Sequence, residues 1–150
     1  MANTYTSILV HYIFSTKNRE KMITKQLQEK LWPYLGGIAR KNKMKAFAIG
    51  GIEDHVHLLI SLPSTLSVAK AIQLIKGASS AWVHDSFTKH SFFKWQEGYG
   101  AFSIGVSHVA ETIAYINSQK EHHSRRTFQE EYIAFLEKHG VEYDERYIWD

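Results

Sequence analysis

Two histidines separated by one residue are the first candidates for chemistry in this chain: Asp54-His55-Val56-His57-Leu58-Leu59-Ile60-Ser61-Leu62. Read as a strand, the segment alternates faces, so Val56, Leu58, Ile60 and Leu62 line one side and His55, His57, Leu59 and Ser61 the other. Both imidazoles then leave one face roughly 7 Å apart along the strand, close enough to share a metal ion. A lone His-x-His is equally compatible with a polar sheet face. Its partners must decide.

Those partners lie farther along. Tyr115 and Gln119 stand at i and i+4 beside an apolar stripe of Val109, Ile113 and Ile116, roughly 40° apart around a helix axis. Glu111 and His122 extend the same polar edge. Two imidazoles and an amide carbonyl make a three-ligand site for a divalent cation, with positions left for phosphate oxygens and water. Nitrogen ligands suit zinc or manganese better than magnesium, yet a site filled mostly by a phosphodiester can use Mg²⁺ or Mn²⁺ as a Lewis acid. A tyrosine meeting that phosphorus would store the bond energy in a phosphotyrosine, which suits rejoining DNA better than hydrolysing it. Spacing alone does not establish this, because Tyr and Gln at i, i+4 are common and a tyrosine is usually a packed residue.

Stepping outward to the elements, Tyr5 to Ser15 reads as a buried strand. Thr24 caps a helix carrying Leu27, Leu31, Leu35 and Ile38, in which Pro33 predicts a kink or a split. Met44 to Gly51 reads as a strand that turns at Glu53-Asp54 into the His-x-His strand. Ser67 caps a helix with Val68, Ala71, Ile72, Ile75, Ser79 and Trp82 in phase. The run Phe92 to Gly100 is an aromatic connection, anchored on the core or able to stack bases around Lys94. Ala101 to Val106 reads as a strand with Phe102, Ile104 and Val106 on one face. Ala101, Ser103 and Gly105 leave its other face bare, open to a backbone or ligand. Ser107 caps a helix from about His108 to Ser124, and Thr127 with Glu130 forms a capping box for a last helix ended by Gly140. The order β-α-β-β-α-β builds an α+β, ferredoxin-like antiparallel sheet with two helices on one face. His55 and His57 then point to the opposite, open face, where the Tyr115 helix must lie.

With 150 residues, one domain spanning 1–150 is expected. A formal charge of +3 permits nucleic-acid binding without demanding it. The absence of cysteine excludes disulfides, thiolate metal sites and cysteine nucleophiles. Ile8 to Phe14 is too short for a signal peptide or a membrane span, which points to a cytoplasmic protein.

At this point the sequence resembles a family. Asp54-His55-Val56-His57-Leu58-Leu59-Ile60 is similar to the His-hydrophobic-His motif of single-tyrosine (HUH) transposases from small prokaryotic insertion sequences, REP-associated tyrosine transposases included. Tyr115-Ile116-Asn117-Ser118-Gln119-Lys120-Glu121-His122-His123 resembles that family's catalytic helix, Tyr-x-x-x-Gln. Ser15-Thr16-Lys17-Asn18-Arg19 and Trp95 to Phe102 also resemble family members. The resemblance implies that His55, His57 and Gln119 bind Mg²⁺ or Mn²⁺ at the scissile phosphate, and that Tyr115 attacks it to give a 5′-phosphotyrosine and a free 3′-hydroxyl. It implies a substrate of single-stranded DNA with hairpin-bearing ends, and a homodimer in which the tyrosine helix can act in trans. Lys17, Arg19 and Lys76 are candidate DNA contacts. The alternatives are a domesticated or non-catalytic hairpin-binding module with a ferredoxin-like sheet, and a metal-dependent phosphohydrolase in which Tyr115 is structural.

Overall fold

A computed structural model describes residues 3–123 and 125–150. The main elements are β1 (Leu9–Ser15), α1 (Lys25–Lys41), β2 (Lys45–Ile52), β3 (His55–Ser61) and α2 (Val68–Ser86). They are followed by β4 (Gly100–Ser103), α3 (Val109–Asn117), α4 (Gln119–His122) and α5 (Phe128–Lys138). The strands form one antiparallel sheet in the order β2-β3-β1-β4. This is the expected ferredoxin-like α+β arrangement, with β1 and β3, the strands bearing His11 and the His-x-His motif, at its centre.

Strand alternation divides the sheet into two packed faces. Val10, Tyr12 and Phe14 of β1 join Val56, Leu58 and Ile60 of β3 on one face, against Leu27, Leu31 and Leu35 of α1 and Ala71, Ile72 and Ile75 of α2. Each Val, Leu, Ile and Phe side chain among them contributes about 1.5–3 kcal/mol on burial. The capping residues behave as read: Thr24 accepts from Leu27 N, Ser67 from Lys70 N, and Thr127 with Glu130 makes a full capping box. Pro33 neither kinks α1 into two helices nor ends it. Buried Leu31 and Leu35 hold the turns on either side of it to the sheet, which offsets the missing backbone donor. The aromatic connection is anchored on the core: Phe93 and Trp95 are buried, and Trp95 Nε1 donates to Ser79 Oγ at 3.0 Å.

Several boundaries differ from the sequence reading. β1 begins at Leu9 because β3 ends opposite it, and Tyr5 is left exposed. β4 pairs with β1 only from Gly100 to Ser103, so Val106 lies past the sheet, exposed, in a 3-10 turn that leads into α3. His108, not Ser107, holds the N-cap position of α3, without a side-chain capping bond. The expected His108–Ser124 helix breaks at Ser118, whose Oγ donates to the Ala114 carbonyl. Its last expected residue, Ser124, lies outside the described residues.

The second face is where the structure corrects the sequence reading most. It is not open: α3, α4 and α5 of the same chain cover it, and His55 and His57 are fully buried. The bare side of β4 also turns the other way. Register pairs Ala101 with Tyr12, placing Ala101 against the α1/α2 core, and pairs Phe102 with His11 on the histidine face. Close approach on that face comes from Gly50 and Gly100 instead. A Cβ on Gly50 would collide with the Ile116 backbone of α3, and one on Gly100 with the Tyr132 ring of α5.

Candidate active site

The site grows from three central residues of the sheet. His11 on β1, and His55 and His57 on β3, project from the same face, and His11 Nε2 lies 2.8 Å from His57 Nδ1. Above them, Leu59 and Ala48 of the sheet pack on Ile116. That contact seats α3 and brings Tyr115 to a ring-centroid distance of 5.8 Å from His57. The break at Ser118 turns Gln119 into the sheet. Its Nε2 donates to the Tyr115 carbonyl at 3.2 Å, which leaves Oε1 aimed at His55 Nε2, 3.1 Å away. The four residues expected from sequence, His55, His57, Tyr115 and Gln119, therefore converge within a single chain.

Two further residues complete the constellation. Glu131 of α5 is fully buried, with Oε1 at 2.9 Å from His57 Nε2, 3.2 Å from His123 Nε2 and 3.6 Å from His55 Nε2. Its other oxygen accepts a short hydrogen bond from the Tyr115 hydroxyl. His123 Nε2 also lies 3.1 Å from Gln119 Oε1. One ligand atom from each of His55, His57, His123 and Glu131 falls within a sphere whose members are at most 4.8 Å apart.

Protons on these rings can be placed from their outer partners. His55 Nδ1 faces the Asp54 carboxylate at 2.7 Å, and His123 Nδ1 faces the Arg126 carbonyl at 2.9 Å. Both partners only accept, so both Nδ1 atoms carry hydrogen, and each ring turns its Nε2 to the cluster. Those nitrogens face the carbonyl oxygen of Gln119 and the carboxylate of Glu131, which only accept. Such a convergence of acceptors needs a cation at its centre, either a bound metal ion or a proton on an imidazole. The donor set of imidazole nitrogens, a carboxylate and an amide oxygen fits a divalent transition ion.

The electrostatics agree. Burial pushes His57 down to about 4, against a partial counter-effect from Glu131, and burial also holds His11 well below the ordinary histidine range. Burial opposes the charge on His123, but its bond to Glu131 outweighs this and raises it. Burial likewise opposes the charge on Glu131, and hydrogen bonds from His123, His57 and Tyr115 reverse the balance and hold its carboxyl far below the usual range. Tyr115 is raised by burial and by the adjacent Glu131 charge, with Arg126 opposing.

The expected DNA contacts lie elsewhere. Lys17 follows β1, its backbone N–H donating to the Lys94 carbonyl. The Arg19 guanidinium sits 5.3 Å from the centre of the Trp149 ring. Lys76 directs its ammonium to the carbonyls of Gln96, Glu97 and Gly98, and a role on phosphate would require exchanging those bonds.

A family model described as "Transposase IS200 like" matches residues 4–119. This chain belongs to the IS200-like transposase family. Its activity is therefore DNA transposition, and the buried histidine cluster lies at the heart of a transposase fold. The ISDra2 transposase TnpA of Deinococcus radiodurans is 24% identical over 116 residues, covering 74% of this chain and 83% of the relative. The transposase for insertion sequence element IS200 of Salmonella typhimurium is 23% identical over 126 residues, 81% of this chain and 82% of the relative. Two solved structures share the fold of this transposase. One, from Deinococcus radiodurans R1, is assigned as a transposase and has a TM-score of 0.64 at 22% identity, covering 79% of this chain and 95% of the other. The second is a REP-associated tyrosine transposase bound to a REP hairpin, with a TM-score of 0.60 at 16% identity, covering 82% of this chain and 73% of the other.

Sequence reasoning missed His11, His123 and Glu131. His122 was the histidine placed on the polar edge with Tyr115. It does stack on the Tyr115 ring, at 4.5 Å, while its neighbour His123 turns inward. Glu131 had a legible signature: a carboxylate between Phe128 and Phe135 at helical spacing lies on the apolar side of α5.

Proposed function

We propose that this transposase cleaves and rejoins single-stranded DNA at hairpin-bearing ends, with Tyr115 as the nucleophile. The observation that carries this reading is the Tyr115 hydroxyl, held by Glu131 within the cluster formed by His55, His57, Gln119 and His123. The single-strand and hairpin specificity is supported by the hairpin-bound REP-associated neighbour.

His55, His57 and Gln119, with Glu131 and His123, would hold a divalent ion. Mn²⁺ or Mg²⁺ is the reading for this family resemblance, and the nitrogen-rich set favours Mn²⁺. Such an ion would supply Lewis-acid polarisation of a phosphoryl oxygen. The chain's own groups do the rest. Tyr115 Oη attacks phosphorus, and the phenolic proton is lost to solvent through Glu131 Oε2, the acceptor it already contacts; a carboxyl held far below the usual range relays the proton without keeping it. The P–O3′ bond breaks, and the departing 3′-oxygen takes a proton from solvent. A 5′-phosphotyrosine and a free 3′-hydroxyl result. Attack of a 3′-hydroxyl on the phosphotyrosine reverses the step and returns the proton to Tyr115, so the strand is rejoined without an external energy source. Raised by burial and by the adjacent Glu131 charge, the resting phenol stays protonated.

Within the single chain these residues meet in cis; a single domain over 1–150 and a homodimer in which the tyrosine helix can act in trans belong to the same proposed reading. The base-stacking alternative loses its platform, because α3 to α5 cover the second sheet face and Phe102 on it is buried. Incubation with a hairpin-bearing single strand and Mn²⁺ tests the reading. The expected product is a denaturant-resistant protein–DNA adduct that a second 3′-hydroxyl strand resolves into a recombinant strand. Hairpin binding that ignores EDTA and yields no cleavage would favour the non-catalytic module.

A further inference from the structure

Tyr115 has two sides. One meets the buried cluster, and the other borders a pocket of about 610 Å³ between β4, α3 and α5. The pocket combines aromatic rings with cations: Phe135 and His139 line it, together with Arg126 and Lys138. The Arg126 guanidinium lies near enough to the Tyr115 phenol to favour its ionised form, and Arg126, Lys138 and His139 are all exposed. Against these cations the pocket sets one carboxylate, Glu111, so its fixed charge is positive. Phe135 is itself braced from behind by Phe102, at a centroid distance of 5.5 Å, and stands 5.7 Å from the Tyr115 ring. Phe135, Lys138 and His139 come after residue 119, where the match to the family model stops, so this part of the pocket is supplied by the chain's own C-terminal helix.

A phosphodiester under attack by Tyr115 carries a nucleoside on each side. The one on the pocket side must place its base and the next backbone phosphate somewhere. Exposed cations suit the phosphate, and an aromatic ring accepts the face of any base. Resting on the reading that Tyr115 attacks a DNA phosphate, we propose that this pocket is a nucleotide subsite: Phe135 stacks the unpaired base beside the scissile phosphate while Arg126 and Lys138 hold its backbone. The subsite fixes the position of the strand relative to Tyr115, so it governs which bond is cut more than how tightly a distant hairpin is held.

The test uses a stem-loop oligonucleotide with an unpaired arm in which 2-aminopurine is moved one position at a time. Tyr115→Phe protein keeps the strand intact. One position is expected to show quenched fluorescence on binding, and adding Phe135→Leu abolishes that quench. Leucine preserves an apolar contact with Phe102 but offers no flat ring, so a folding defect is separable by thermal melting. In the otherwise wild-type protein, Phe135→Leu lowers the rate of adduct formation roughly tenfold, as expected for one lost base stack. Lys138→Ala weakens binding of the arm and flattens its salt dependence. Absence of a quench at every position, or a quench that survives Phe135→Leu, overturns the subsite. Failure of the underlying reading looks different: wild-type protein forms no adduct although the quench and its loss in Phe135→Leu are present.

Discussion

Gly50 offers a sharp test of how the nucleophile is positioned. It lies on β2 opposite His57, on the face that receives α3, and a Cβ there would sit well inside 3.0 Å of the Ile116 carbonyl oxygen. The obstacle is helix backbone, which cannot rotate away as a side-chain tip can. Relief of the overlap in Gly50→Ala requires α3 to retreat by about 1 Å, and overpacking of this kind costs about 1–3 kcal/mol. Tyr115 adjoins Ile116 and must move with it. Since a misplacement of about 1 Å at a reacting group can cost about 10²-fold in rate, adduct formation should fall by roughly that factor. Gly77→Ala is the control. It lies within α2 with nothing within 4 Å of the added methyl, so it should stabilise the helix by about 0.5–1 kcal/mol and leave the adduct rate unchanged. Thermal melts and a time course of adduct formation read both variants. Gly50→Ala with wild-type stability and rate would refute the claim that this contact sets the position of Tyr115.

Two other predictions follow from the buried groups. Mn²⁺ should raise the melting temperature of the metal-free protein, by the equivalent of about 2.7 kcal/mol at a concentration of about 100 times Kd. Glu131→Gln should weaken Mn²⁺ binding by about 10-fold or more, seen as a smaller shift at equal metal; an unchanged shift would remove Glu131 from the ligand set. Burial lowers Lys76 to about 8, from 10.5 in an unfolded chain. Between those values the unfolded chain binds a proton that the folded chain lacks, so this group makes stability rise with pH from about 8. Denaturant titrations at pH 8 and pH 9.5 should show the rise in wild type and its loss in Lys76→Met, with the comparison ending before unfolded tyrosines ionise near 10 while buried Tyr12, Tyr115 and Tyr132 remain neutral.

The sheet and its central histidines were legible because strand alternation is a local property. Val56, Leu58 and Ile60 against His55, His57 and Leu59 specify two faces, whatever packs on them. Tyr115 and Gln119 were legible as a pair for the same reason, since one helical turn relates them. That the Tyr115 helix lies on the second face was legible; how closely it and α5 approach was not, because that depends on tertiary packing: Gly50 admits Ile116, and Gly100 admits Tyr132. Locally, Gly50 falls at the end of a strand and Gly100 in the aromatic connection, while Ala101, Ser103 and Gly105 read as the place for close approach. The position of Glu131 on the apolar side of its helix was legible, but its partners were not. The capping box at Thr127 and Glu130 accounts for one acidic residue, and the next in sequence turns inward, where only the folded position of α5 brings it to His57 and His123. Among the described residues, no helix is long and apolar enough to cross a membrane.

The central claim is that Tyr115 is the nucleophile of a metal-assisted strand transfer. Mass spectrometry of the protein after incubation with a hairpin-bearing single strand and Mn²⁺ tests it most directly, run in parallel on Tyr115→Phe and on wild type with EDTA. The account predicts a covalent nucleotide adduct that maps by proteolysis to Tyr115, absent in both controls. An adduct on another residue, one that persists in Tyr115→Phe, or cleavage without any adduct would contradict it.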